Sequence, residues 1–245
     1  MRPDTAVIIP AKNEAGRIAA TVTAARALPG VDLVVVVDDG SVDETGRAAK
    51  AAGARVVRHS RNHGKAAAME SGAEAVRLLE DHADDGLQRH LLFLDADLGE
   101  TAREAAALIE PVRAGKADMT IAVFTHRVKL GGHGLVVRLA GDGIQRATGW
   151  RPAQPLNGQR CLTRAAFEAA RPLAYGFGVE TGLTIDLLRK GFRVVEVEVA
   201  MAHRATGNDW RSQLHRARQF RDVALALAMR EPLIMGSRAK ARRRR

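Results

Sequence analysis

Short apolar runs and helix-spaced segments take turns along this chain. Residues 6–9 form an apolar run that ends at Pro10, and residues 33–37 form a continuous, mostly β-branched run of the kind buried on both faces of a sheet. Residues 55–57, 90–94 and 118–123 supply three further runs. Between them, apolar spacing predicts a helix over residues 13–28, with Asn13 as its N-cap. A second is predicted from Asp43-Glu44-Thr45 to near Gly53, with Asp43 as its N-cap, and a third over residues 66–79. This strand–helix rhythm predicts an α/β fold, a mostly parallel central sheet flanked by helices on both faces.

The second half is less regular. Residues 125–134, rich in Gly, His and basic residues, read as a loop, and residues 135–148 as a helix. Residues 159–162 read as a strand with a helix following from Thr163; residues 178–190 read as a helix and 193–199 as a strand of alternating character. Residues 209–229 form a long helix with many basic residues. No repeat or linker divides the chain. Pro232 and Gly236 mark a break between residues 1–230, expected to fold as one domain, and a basic tail over residues 231–245, expected to be disordered.

Composition narrows the function classes. At 245 residues and 46% hydrophobic content, the chain is long enough for a sizeable core. Aromatic residues make up only 4%, so no platform for stacking bases is visible and no nucleic-acid partner is expected. No apolar stretch reaches the length of a membrane span, and Met1 to Asp4 lead straight into a strand, so no secretory leader is expected. Cys161 is the single cysteine, which excludes an intrachain disulfide. It reads as a small core residue in a strand, and a reducing cytoplasm fits. The formal net charge is +10, but six basic residues and no acid lie in the last eight positions. The body is mildly basic, which suits phosphorylated substrates. The tail suits an anionic surface, so the expected location is cytoplasmic and peripheral to the inner face of the membrane. The sequence leaves room for a homodimer.

Candidate chemistry concentrates where strands end. Asp95-Ala96-Asp97 closes the apolar run 91–94, and two carboxylates at such a strand end sit where α/β sheets bind ligands. Hard oxygen donors there suit Mg²⁺ or Mn²⁺ holding a diphosphate; the plainer reading is that they cap the next helix, beginning at Leu98-Gly99-Glu100-Thr101. Val37-Asp38-Asp39-Gly40-Ser41 carries a second carboxylate pair, for which turn chemistry with Gly40 at positive φ is the plainer reading. Glu14 and Lys65 taken alone read as solvated charges at helix starts. Glu180 follows the Gly-rich stretch Tyr175-Gly176-Phe177-Gly178, which would aim a first helical turn into a cleft. His203 follows the alternating strand.

Taken in order, Pro10-Ala11-Lys12-Asn13-Glu14, Val37-Asp38-Asp39-Gly40-Ser41 with Asp43, Asn62-His63-Gly64-Lys65 and Asp95-Ala96-Asp97 resemble the family 2 glycosyltransferases of GT-A fold, over residues 6–221. That resemblance implies a metal-dependent enzyme that moves a sugar from a nucleotide-diphosphate sugar, a UDP-sugar by expectation. It places Pro10, Ala11 and Glu14 on the base and ribose, Asp39 opposite the base, Gly64 and Lys65 near ribose or phosphate, and Asp95 on ribose or a metal-bound water. Asp97 and His203 are the implied metal ligands. Glu180, with Asp97, is the implied catalytic residue, as a general base if the enzyme inverts.

A closer resemblance runs through Ala153-Gln154-Pro155-Leu156-Asn157-Gly158, Gly176 to Gly182 and Ala202-His203-Arg204, which look like the retaining glucosyl-3-phosphoglycerate synthases. It implies an acceptor loop at Gly132 and His133 with Arg138, and a phosphate contact at Arg204. Ala205 stands where that group has a polar acceptor contact. Two acceptor classes are therefore expected, a small phosphorylated acid such as 3-phosphoglycerate or a lipid-linked polyprenyl phosphate. The basic helix positions Arg211, His215, Arg216, Arg218 and Arg221 suit either one. The competing classes are a sugar-phosphate nucleotidyltransferase, disfavoured by the absence of glycines after the first strand, and a non-catalytic nucleotide-binding module.

Overall fold

In the computed structural model, residues 4–83, 86–125, 134–201 and 210–230 are described. Seven strands form one sheet: β1 (Thr5–Ala11), β2 (Val31–Asp38), β3 (Arg55–Arg58), β4 (His90–Phe93), β5 (Met119–Phe124), β6 (Arg160–Leu162) and β7 (Val194–Val199). Their spatial order is β3-β2-β1-β4-β6-β5-β7, and all neighbours pair parallel except β6, which runs antiparallel to both β4 and β5. The expectation of a mostly parallel α/β sheet therefore holds.

Among the described residues eight α-helices accompany the strands: α1 (Ile18–Arg26), α2 (Thr45–Ala51), α3 (Lys65–Ala83), α4 (Ala106–Arg113), α5 (Gly134–Thr148), α6 (Arg164–Ala170), α7 (Val179–Arg189) and α8 (Trp210–Ala228). Side chains alternate across each central strand, so β1 feeds two cores. Val7 and Ile9 pack with Val34 and Val36 under Ile18 and Val22 of α1 and Leu108 and Ile109 of α4. Ala6 and Ile8 pack with Val35 and Val37 under Met69 and Val76 of α3, Phe167 of α6 and Leu183 of α7. A smaller cluster joins Ile144 of α5, Ile185 of α7 and Val223 and Leu227 of α8. Cys161 is fully buried in β6, and burial pushes its thiol well above the ordinary range, as a core residue requires. No helix among the described residues is long and apolar enough to cross a membrane.

Three expectations need correction. Pro10 does not end the first strand, which continues to Ala11 with Pro10 opposite Val37. Pro10 points the same way as Ile8, whose carbonyl accepts from the Leu94 amide at the end of β4. The β4 pairing stops at Phe93, so the missing N–H forfeits no ladder bond. Asn13 is not an N-cap: α1 begins at Ile18, and Asn13 sits in the left-handed region at φ 56°. Between β4 and β5 the chain forms a 3₁₀ segment, Gly99–Ala105, followed by α4, where the sequence pattern marks only a helix start. The basic tail lies outside the described residues.

Candidate active site

The site is assembled from strand ends that the loops clip together. Asn13 donates its amide to Ser41 Oγ at 3.0 Å and accepts from the Val42 amide at 3.0 Å. Asn tolerates this left-handed backbone better than most residues, so the chain leaving β1 can fold against the chain leaving β2. Asp43 extends the clip, accepting from the Ala15 amide at 3.2 Å and the Thr45 amide at 3.1 Å, although the N-cap position of α2 belongs to Glu44. Asp38 has the turn role, with Oδ1 accepting from the Ser41 amide at 2.9 Å.

Asp39 organises the next turn. It is 4% exposed, and Oδ1 accepts from His59 Nδ1 at 2.7 Å and from the His63 amide at 2.8 Å. Oδ2 accepts from the Gly64 amide at 2.8 Å, and Ser71 Oγ of α3 lies 2.9 Å from His59 Nε2. Gly64 at φ 91° makes this turn possible, as Gly40 at φ 69° does for the loop facing it.

The turn delivers Lys65 at the start of α3. Its Nζ lies 2.8 Å from Asp95 Oδ1 and 2.9 Å from Glu180 Oε1. Burial alone would push this ammonium down, but the two carboxylates hold it well above the ordinary lysine value. Gln159 grips Asp95 from the other side at two points: its Oε1 accepts from the Asp95 amide at 2.8 Å and its Nε2 donates to Oδ2 at 2.7 Å. Thr21 of α1 fixes the following turn, donating to the Ala96 carbonyl at 2.9 Å and accepting from the Gly99 amide at 2.8 Å. Asp97 stands half-buried within that turn.

Behind Glu180 lies Arg160, 1% exposed and with no carboxylate in contact among the described residues. Its guanidinium donates to the carbonyls of Pro155, Asn157 and Glu180 and to Thr184 Oγ1, at 2.8 to 3.2 Å. Burial pushes it down to about 10, with Glu180 and Glu196 pulling the other way. Arg160 thereby joins the loop before β6 to the first turn of α7, which carries Glu180.

The opposite wall comes from the turn Gly176–Gly178 and from α8. Asp222, 5% exposed, accepts from the Phe177 amide at 3.2 Å and holds Arg221 through its Nε at 3.1 Å and Nη2 at 2.9 Å. Between the walls lies a cleft of about 670 Å³. Of the sequence-predicted residues, Pro10, Ala11, Asp39, Gly64, Lys65 and Asp95 line it together. Glu180 is buried and does not line it, but its carboxylate is paired with Lys65, which does. Glu14 and Asp97 are not among its lining residues; Glu14 sits at the turn before α1, its amide donating to Thr45 Oγ1 at 2.8 Å. Arg138, expected at the acceptor, is exposed on α5 and donates to the Gly134 carbonyl of its own helix. Gly132, His133, His203 and Arg204 lie outside the described residues. Among those residues no group of three or more His, Cys, Asp and Glu side chains is placed to hold a metal ion.

Sequence reasoning missed Gln159, Arg160 and Asp222. A polar or charged residue inside or beside an apolar strand, as at Gln159-Arg160, is the signal that could have found the first two.

The model of glycosyl transferase family 2 matches residues 6–163. Glycosyltransferase AglJ of Haloferax volcanii is 31% identical over 213 residues, covering 84% of this chain and 66% of that protein. Glucosyl-3-phosphoglycerate synthase of Mycobacterium tuberculosis is 30% identical over 199 residues, covering 74% of this chain and 59% of that protein. The chain thus spans less than two thirds of the length of these curated relatives. A crystal structure of the Mycobacterium tuberculosis synthase in complex with Mn²⁺, UDP and phosphoglyceric acid superposes with a TM-score of 0.70 at 26% identity, covering 93% of this chain and 78% of that one.

Proposed function

The chain belongs to glycosyl transferase family 2, and we propose that it moves a sugar from a UDP-sugar to a phosphorylated acceptor with the help of Mg²⁺ or Mn²⁺. The observation that carries this reading is the Lys65 ammonium held between Asp95 and Glu180 at a cleft built from the carboxyl ends of β1, β2 and β4. The likeness to a synthase crystallised with UDP, Mn²⁺ and phosphoglyceric acid supports the donor, the ion and the acceptor class.

In this reading Pro10, Ala11, Asp39 and Gly64 hold the nucleoside. A carboxylate beside an imidazole would suit a hard divalent ion, and the family resemblance gives that role to Asp97 with His203 as its partner, while Lys65 and Gln159 hold Asp95. When bound, such an ion would offset the charge of the departing diphosphate. Glu180 acts on the transferred sugar or on the acceptor hydroxyl. Arg160 and Lys65 keep it in place, one through its backbone and the other through its carboxylate.

Glu180→Gln tests the assignment. Turnover with a UDP-sugar should fall by about 10²-fold or more, the scale of a lost acid–base group, while UDP binding in the presence of Mn²⁺ stays close to that of the unaltered chain. If the two fall together, Glu180 belongs to the nucleotide pocket and its role in the transfer step is rejected.

A further inference from the structure

We propose that the α8 wall of the cleft is the subsite for the acceptor's phosphate, with Arg218 and Arg221 as its ligands. The inference rests on the transferase reading and adds where the acceptor's anion is held. It develops the expectation that the basic helix suits a charged acceptor and departs from the one for Arg138, which is turned onto its own helix and does not line the cleft.

Three observations carry it. First, Arg218 and Arg221 are three residues apart, so they share one face of α8, and both line the cleft across from Asp39, Gly64 and Asp95. Second, both keep N–H donors for a ligand, whereas the Lys65 ammonium is already held by two carboxylates. The Arg218 side chain makes no ion pair or hydrogen bond among the described residues. Arg221 gives two of its five N–H groups to Asp222 and keeps the rest. Asp222, buried and tied to the Phe177 amide, orients the Arg221 guanidinium and offsets its charge, so Arg218 supplies the net charge and Arg221 the directed N–H groups. Third, the helix is held firmly. Val223 and Leu227 are buried against α5 and α7 on the side away from the cleft. A planar guanidinium fork on a fixed element is suited to two-point contact with a phosphate monoester.

The same chemistry would serve a free phosphorylated acid or the phosphate of a lipid-borne acceptor. The experiment therefore has two arms, 3-phosphoglycerate in solution and a soluble short-chain isoprenyl phosphate, each titrated into the full chain loaded with UDP and Mn²⁺. At least one should bind, and Arg218→Gln and Arg221→Gln should each weaken that binding by about tenfold or more, as loss of a charged hydrogen bond predicts. Arg218→Lys should recover part of the loss. UDP affinity should stay nearly unchanged in all three. Arg47→Gln removes the same charge from exposed α2 and controls for the overall field. If neither phosphate binds, or if the arginine variants bind as the unaltered chain does, the subsite is rejected. A loss of UDP affinity in step with phosphate affinity rejects it too, and assigns the arginines to the donor diphosphate. Failure of transfer by a chain that binds the phosphate through these arginines would instead overturn the transferase reading and leave the subsite standing.

Discussion

Gly158 lies directly behind the Lys65 ammonium. A methyl group there would collide with Nζ and stand 3.1 Å from Asp95 Oδ1, while its φ lies outside the left-handed region that restricts other glycines of the chain. Gly158→Ala therefore tests the position of one charge rather than a backbone preference. It should push Lys65 away from the Asp95–Glu180 pair and lower transfer on the order of 10²-fold, the scale of a small displacement in a reacting geometry. Circular dichroism should show the fold retained. Full turnover in a folded Gly158→Ala protein would show that the Lys65 bridge does not organise the site. At this scale the sequence is informative where a motif is local. Asp39 and Asp95 follow strand ends, Gly64 and Lys65 open α3, and the four reach the cleft together. Gln159 is opaque because its grip on Asp95 spans 64 positions and depends on β6 running antiparallel between β4 and β5. Nothing in the local pattern announces that pairing.

Among the elements, continuous apolar runs and long helix-spaced segments are the readable ones: residues 33–37 fall inside Val31–Asp38, and residues 66–79 inside Lys65–Ala83. Boundaries drift where a residue serves tertiary contacts, as Asn13 does in clipping two loops. The segment between β4 and β5 hides its helix because a 3₁₀ start and Pro111 near its end break the 3.6-residue spacing. The seating of α8 on the Gly176–Gly178 turn is equally invisible from sequence, yet it closes the cleft. A Cβ on Gly178 would lie 2.6 Å from Ala226 Cβ and 2.7 Å from the Asp222 carbonyl. Gly178→Ala should thus lift α8 and lower stability by about 2 kcal/mol, within the range for overpacking a close contact. The urea midpoint should fall with an unchanged slope. Gly16→Ala, where a Cβ meets nothing within 4 Å, is the matched control. Equal midpoints for the two variants would mean that α8 does not rest on this turn.

At the scale of the whole molecule, the cleft joins the two halves of the chain. Lys65 meets Glu180 and Asp95 meets Gln159, so the two halves fix each other at the site. A ligand that binds only this assembled state stabilises the whole fold by mass action, by about 2.7 kcal/mol at a hundredfold excess over Kd. For a domain of this length that corresponds to a rise in Tm of roughly 5–10 °C. UDP with Mn²⁺ should produce that shift, and UDP with EDTA should produce much less, because the ion is needed to offset the diphosphate charge. Asp97→Ala should remove the ion-dependent part. Thr21 holds the Ala96–Gly99 turn through the Ala96 carbonyl and the Gly99 amide. Equal shifts with Mn²⁺ and with EDTA would reject a divalent ion at this site, whereas an ion-dependent shift that survives Asp97→Ala would move the ligand role to other residues.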